Sequence, residues 1–155
     1  MKRLAILLIA VLCLMLSGCS NDFAEKEYHD TELIAQTGDR YAKQMSVFNQ
    51  TNNVYTLSVS SFDGRETLWS EKIKEQQLIE LSVSISLSEG MVKLVHIDSG
   101  DHVKTIAECT PQTCTDGFIQ CDIPLDEGLN RFKLVGYGCK DVKLNIVFPK
   151  GFKYC

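Results

Sequence analysis

The sequence lacks the short motifs that mark common enzymes. There is no Gly-x-Ser-x-Gly elbow, no His-Glu-x-x-His pair and no glycine-rich phosphate loop. Histidine is confined to His29, His96 and His102, so a nucleophile–imidazole pairing has little to draw on. No Cys-x-x-Cys occurs, which argues against a structural zinc knuckle. No run of Lys or Arg occurs either, which argues against nucleic acid as a partner and against purely electrostatic attachment to anionic lipid. Proline is scarce, with three residues, and no repeat, low-complexity block or mid-chain linker interrupts the chain, so one folded unit is expected. The longest apolar run, Leu4–Leu16, is short of the ~20 residues that a membrane-spanning helix needs.

That run is nevertheless informative. Lys2 and Arg3 precede it, and Ser17-Gly18 follow it with small residues suited to a cleavage site. Residues 1–18 therefore read as a targeting segment. Leu16-Ser17-Gly18-Cys19 also resembles the bacterial lipobox, in which the cysteine sulfur takes a diacylglyceryl group and becomes the new N-terminus, with an N-acyl chain as a further addition. A thiol is required because its thiolate is the nucleophile, and two or more acyl chains hold a protein where one exchanges off. Cys13, without small residues before it, reads as a small hydrophobe. The expected location is the extracytoplasmic face of the cell membrane, or an outer membrane where the envelope has one.

Without residues 1–18 the chain keeps 137 residues, enough for one core. Losing Lys2 and Arg3 leaves 14 basic residues against 20 acidic ones, a formal charge of −6. The lipid must then supply the membrane affinity. Residues 19–29 are polar and read as a tether. Asp30 is placed to cap a helix over residues 30–50, with Ile34, Tyr41, Met45 and Phe48 recurring on one face and Gly38 weakening it.

Beyond Val54 the period changes to two. Tyr55, Leu57 and Val59 alternate with Thr56, Ser58 and Ser60, and Ile79, Leu81, Val83, Ile85 and Leu87 alternate with Glu80, Ser82, Ser84 and Ser86. Successive side chains on a strand face opposite sides, so these are half-buried antiparallel strands. Turn residues recur at Asp63-Gly64, Glu89-Gly90, Asp98-Ser99-Gly100, Asp116-Gly117, Asp126-Glu127-Gly128 and Gly136–Gly138. Seven or eight short strands predict a mainly all-β fold, an antiparallel β-sandwich over residues 51–155.

The stretches "SFDGRETLW", "LSEGMVKLVHIDSG" and "IPLDEGLNRFKLVGYGCKDVKLNIVF" resemble a class of small lipoproteins of Gram-positive gut bacteria. The similarity spans about residues 61–148. It implies a jelly-roll or immunoglobulin-like sandwich on a cell-surface tether and implies no activity. The cysteines and the histidine pair depart from that pattern.

Five further cysteines remain: Cys109, Cys114, Cys121, Cys139 and Cys155. Outside the cytoplasm disulfides persist, and five thiols leave one unpaired among fifteen arrangements. A simple meander places Cys109, Cys114 and Cys139 at one end and Cys121 and Cys155 at the other. The pairing expected from it is Cys109–Cys114 and Cys121–Cys155, with Cys139 left over.

Three constellations compete for a role. In "HIDSGDH" a three-residue loop places His96 and His102 opposite one another, with Asp98 and Asp101 beside them, a set suited to zinc or copper. A two-residue loop instead puts the histidines on opposite faces, and the whole stretch also reads as an ordinary solvated turn. Trp69, Tyr55, Phe62 and Tyr137 are the aromatics available to stack on a sugar, with core packing as the plainer reading. Carboxylates are plentiful, and a pair for glycoside hydrolysis is defined by separation in space rather than by sequence. The expectation is a non-catalytic, cofactor-free module tethered to the membrane that binds a protein, cell-wall polymer or glycan; a small metal-binding lipoprotein and a carbohydrate-binding or hydrolytic surface domain are the alternatives.

Overall fold

A computed structural model describes residues 21–114 and 117–152. Two short helices, α1 (Asn21–His29) and α2 (Thr31–Ala35), precede eight strands: β1 (Arg40–Gln44), β2 (Val47–Thr51), β3 (Val54–Ile73), β4 (Gln77–Ser86), β5 (Glu89–Ile97), β6 (Val103–Cys109), β7 (Ile119–Leu125) and β8 (Gly128–Val147). All strand pairs are antiparallel.

The frame is one long ribbon. β3 and β8 pair from Val54↔Val147 to Ile73↔Gly128, with the register interrupted between Phe62 and Gly64 and between Thr67 and Trp69. The other strands divide along it. The first half of β3 takes β2 at its edge, and the second half of β8 takes β4 and then β7. The middle of β3, Ser61–Arg65, takes β1, and the first half of β8 takes β5 and then β6. Folding the ribbon makes two layers, and one core of Leu57, Trp69, Leu81, Leu94, Ile123, Phe132 and Leu144 draws on both. The expected antiparallel β-sandwich is observed; of its eight described strands six lie within residues 51–155, where seven or eight are expected.

The strands are not all short. Asp63-Gly64 and Gly136–Gly138, read from sequence as turns, lie inside β3 and β8 where the ribbon bends. Gly64 has φ 101°, and a Cβ there would come within 2.1 Å of the Arg40 carbonyl oxygen. Glycine is required by the bend and by the close passage of β1, not by a chain reversal.

Residues 19–29 are not a tether throughout, because Asn21–His29 is helical and packs on the sandwich. Ala24, Glu27 and Tyr28 are buried, and Tyr28 joins Ile34, Val95, Ile97 and Val135 in a second cluster on the outer face of the β5/β8 layer. That covering explains why Asn130–Val135 of β8 is buried at every position. Residues 30–50 do not form one helix either. Asp30 caps as expected, accepting from the backbone N–H groups of Glu32 and Leu33 at 3.0 Å, but the helix ends at Ala35. β1 and β2 follow, and the sheet therefore begins at Arg40 rather than after residue 51. Both strands take up the free hydrogen-bonding edge of β3, a tertiary gain that outweighs a weak helical preference around Gly38.

The buried outer face also carries three cations. Arg65 meets Glu27 and donates to Gln36 Oε1 at 2.9 Å and to the Gly38 carbonyl at 3.2 Å. Lys133 donates to the Gln36 carbonyl at 2.6 Å and Asp39 at 3.2 Å. Arg131 donates to the Ala35 carbonyl at 2.7 Å and pairs with Asp101. Each buried charge thus has acceptors from the segment that covers it, as burial demands.

Candidate functional site

One edge of β3 supports both β1 and β2, in the same register. β1 pairs with Ser61–Arg65 and β2 with Val54–Ser58, and the chain turns between them at Met45, which has φ 48°. A cleft of about 350 Å³ opens beside this edge. Its lining includes Lys43 from β1, Phe48 and Gln50 from β2, Glu66 and Trp69 from β3, and Phe132 from β8. The volume is within the ~300–1,000 Å³ range of small-molecule sites.

Alternation explains who faces in. Phe48 and Gln50 sit opposite Leu57 and Tyr55, both core residues, so they share the inner face. Lys43 sits opposite buried Phe62. Lys43 Nζ donates to Glu66 Oε1 at 2.5 Å and lies 4.9 Å from the Tyr41 ring centroid. Glu66 Oε2 is buried and has no hydrogen-bond partner among the described residues. Burial, and next the nearby Glu66 carboxylate, push the Tyr55 hydroxyl pKa up, so Tyr55 stays a neutral phenol. The floor is aromatic: Trp69 stacks on Phe132 at 4.8 Å, and Phe132 lies 6.1 Å from Phe148. Phe48, 55% exposed, tilts against Tyr55 at 5.0 Å on the rim. The cleft therefore offers a π surface, an acceptor, an ammonium and an amide within one opening.

The stacking set read from sequence is placed differently. Trp69, Tyr55 and Phe62 are core residues and present no exposed platform, because their strand positions turn them inward. Tyr137 is half-buried and edge-on to Tyr28 under α1, its hydroxyl 3.1 Å from Met91 Sδ. Only Tyr55 and Trp69 of that set reach the cleft. Lys43, Phe48 and Glu66 were not singled out. The signal for Lys43 and Phe48 is a short period of two, Tyr41 with Lys43 and Phe48 with Gln50 each sharing a face, which a helical reading of residues 30–50 hides; Glu66 carries no such signal.

The metal constellation is not assembled. Ile97 pairs with Val103 and His96 with Lys104, so Asp98–His102 is a five-residue loop and the histidines are not opposite one another. His96 faces the core, 3.0 Å from Asn130 Oδ1 and 5.5 Å from the Phe132 centroid. His102 is exposed in the loop, with its Nδ1 3.0 Å from Asp98 Oδ2, while Asp101 is taken by Arg131. Asp98 is occupied within its own turn, accepting from the N–H groups of Gly100 and His102. No three His, Cys, Asp or Glu side chains gather as a metal site among the described residues.

Cys109 and Cys114 form a disulfide, closing the loop over Pro111 as expected. Cys139 is a buried thiol whose Sγ donates to the Met91 carbonyl at 3.0 Å; burial pushes its pKa up to about 12. Cys121 is half-buried and not joined to any described residue. The expected Cys121–Cys155 bond and the lipidation of Cys19 involve residues outside the described ones.

No protein-family model matches the chain, and no curated protein matches it. Among solved structures, a family 29 carbohydrate-binding module is similar at 11% identity, over 72% of this chain and 76% of that one, with a TM-score of 0.40. A variant of such a module complexed with mannohexaose is similar at 12% identity, over 72% and 79%, with a TM-score of 0.41. These are similarities of remote outline, and no residue role passes from them to this chain.

Proposed function

We propose that this chain is a lipid-anchored, extracytoplasmic binding module whose ligand enters the cleft between β1 and β2. The address rests on the Leu16–Cys19 lipobox pattern. The observation that carries the binding role is the cleft's combination of an exposed aromatic, Phe48, on its rim with the Lys43–Glu66 ion pair in its wall. A saccharide suits that set: its C–H face lies on Phe48, while its hydroxyls meet Glu66, Lys43 and Gln50. The role is contact without catalysis, and the lining supports this by holding Glu66 as its one carboxylate where glycoside hydrolysis uses two. Anchoring restricts the module to a thin layer and raises its effective concentration toward neighbouring glycans.

The test is calorimetric titration of the detergent-solubilised chain with mannohexaose, cellohexaose and soluble peptidoglycan fragments. Saturable binding to one of these is expected, weakened at least tenfold by Glu66→Gln and by Phe48→Ala. Absence of saturable binding to all three, or binding unchanged in both variants, overturns the reading.

A further inference from the structure

The β1–β2 edge exposes apolar side chains that the cleft does not explain. Met45 is 83% exposed and Val47 68%, at the corner where β1 gives way to β2, with Tyr41 and Phe48 on either side. Val47 sits opposite Ser58, on the outer face and away from the cleft. The far edge, at β4 and β7, also exposes Leu78, Phe118 and Ile119. What distinguishes the two edges is where the anchor arrives.

α1 crosses the outer face from one edge inward. Its first turn lies at the β1 edge, where the Arg40 guanidinium sits 3.6 Å from the Phe23 ring centroid and Phe23 and Ala24 border Tyr41 and Ala42. Its middle reaches Arg65 on β3 through Glu27, and its end places Tyr28 against Tyr137 on β8 and Glu108 on β6. The helix cannot swing outward without unburying Glu27 and Tyr28. Cys19 precedes Asn21 by two residues, a span of at most ~7 Å. Met45 follows Ala42 by three residues on an extended strand, about 10 Å. A bilayer joined to Cys19 therefore passes close to the Met45 corner and far from the β7 edge.

We propose that the β1–β2 edge is a second membrane contact, with Met45 and Val47 seated in the interfacial zone of the bilayer that carries the Cys19 lipid. Tyr41 suits the same boundary, with an apolar ring and a polar tip. The cleft mouth then lies at headgroup level. This seating rests on the lipid anchor under the proposed function, not on the cleft's ligand.

The experiment uses the lipidated full chain reconstituted in phosphatidylglycerol–phosphatidylethanolamine vesicles whose acyl chains are brominated near the headgroup. Tryptophan is introduced as Met45→Trp or, on the far edge, Leu78→Trp, with buried Trp69 as a constant background, and mass spectrometry of the same samples reads the lipid on Cys19. Bromination is expected to quench the Met45→Trp emission roughly twofold and to leave Leu78→Trp unchanged. Equal quenching at both positions, or none at Met45, overturns the seating while a lipidated Cys19 leaves the anchor standing. Concentration-dependent shielding at Met45 without quenching assigns the edge to a second copy of the chain and also overturns it. A bare Cys19 overturns the anchor, and the seating with it.

Discussion

Glu27 on α1 meets Arg65 on β3 beneath the helix, and both side chains are almost wholly withdrawn from water, at 1% and 7% exposed. Ion pairing in that setting is held less for its net gain than for the penalty of breaking it. It ties α1 to the sheet that forms the cleft wall, since Glu66, the next residue on β3, points the other way into the cleft.

Removing one partner is therefore expected to be costly. Glu27→Ala leaves the Arg65 guanidinium buried with only Gln36 and Gly38 as acceptors, and the expected loss is about 3 kcal/mol. Urea unfolding reads the loss, and limited proteolysis should find cleavage appearing within residues 21–39. The double variant Glu27→Ala/Arg65→Met should recover much of it; a single variant as stable as the parent would show that the pair does not secure α1.

Acidification should weaken the fold through His96. Burial lowers its pKa below 6.5, against smaller upward pulls from the Asn130 hydrogen bond, Asp98 and Asp126, while Lys104 adds to the lowering. The unfolded chain then takes the proton first, so stability is complete above about pH 6.5 and falls as the pH drops toward the folded-state pKa. Asp98 acts lower. Its slight burial works upward but is outweighed by hydrogen bonds from His102 and Gly100, so its carboxylate contributes above about pH 3.8 and that contribution fades beneath. Urea midpoints measured between pH 7.5 and 5 should decline in the parent and stay nearly level in His96→Gln.

The bend at Gly64 is expected to tolerate no side chain. Gly64→Ala combines positive φ with a Cβ 2.1 Å from the Arg40 carbonyl oxygen, so β1 must move or separate. A loss of more than about 2 kcal/mol is expected. Because Lys43 stands on β1, the same variant should weaken whatever binding Glu66→Gln weakens. Hydrogen exchange would locate the damage: early exchange at residues 40–44, with the β4–β7 pairing still protected, is the expected pattern.

Local features were legible wherever the cause is local. Strict alternation in Leu78–Ser86 named β4 because a half-buried strand has no other way to distribute side chains, and Asp30 announced a cap because its carboxylate serves N–H groups two and three residues on. Asp126-Glu127 marked a true reversal between β7 and β8. The same glycine chemistry at Asp63-Gly64 and Gly136–Gly138 misled, since positive φ serves a bend within a strand as well as a turn.

What the sequence determined alone was the repeating half-buried strand, the helix cap and the net negative charge. Only tertiary structure decided that residues 40–51 become edge strands, that Arg65, Arg131 and Lys133 are buried beneath the first two helices, and that Lys43, Phe48 and Glu66 share one cleft. The reason is range. Alternation and capping are settled between neighbours, whereas an unpaired β3 edge, a buried cation or a cleft exists only once segments tens of residues apart have met.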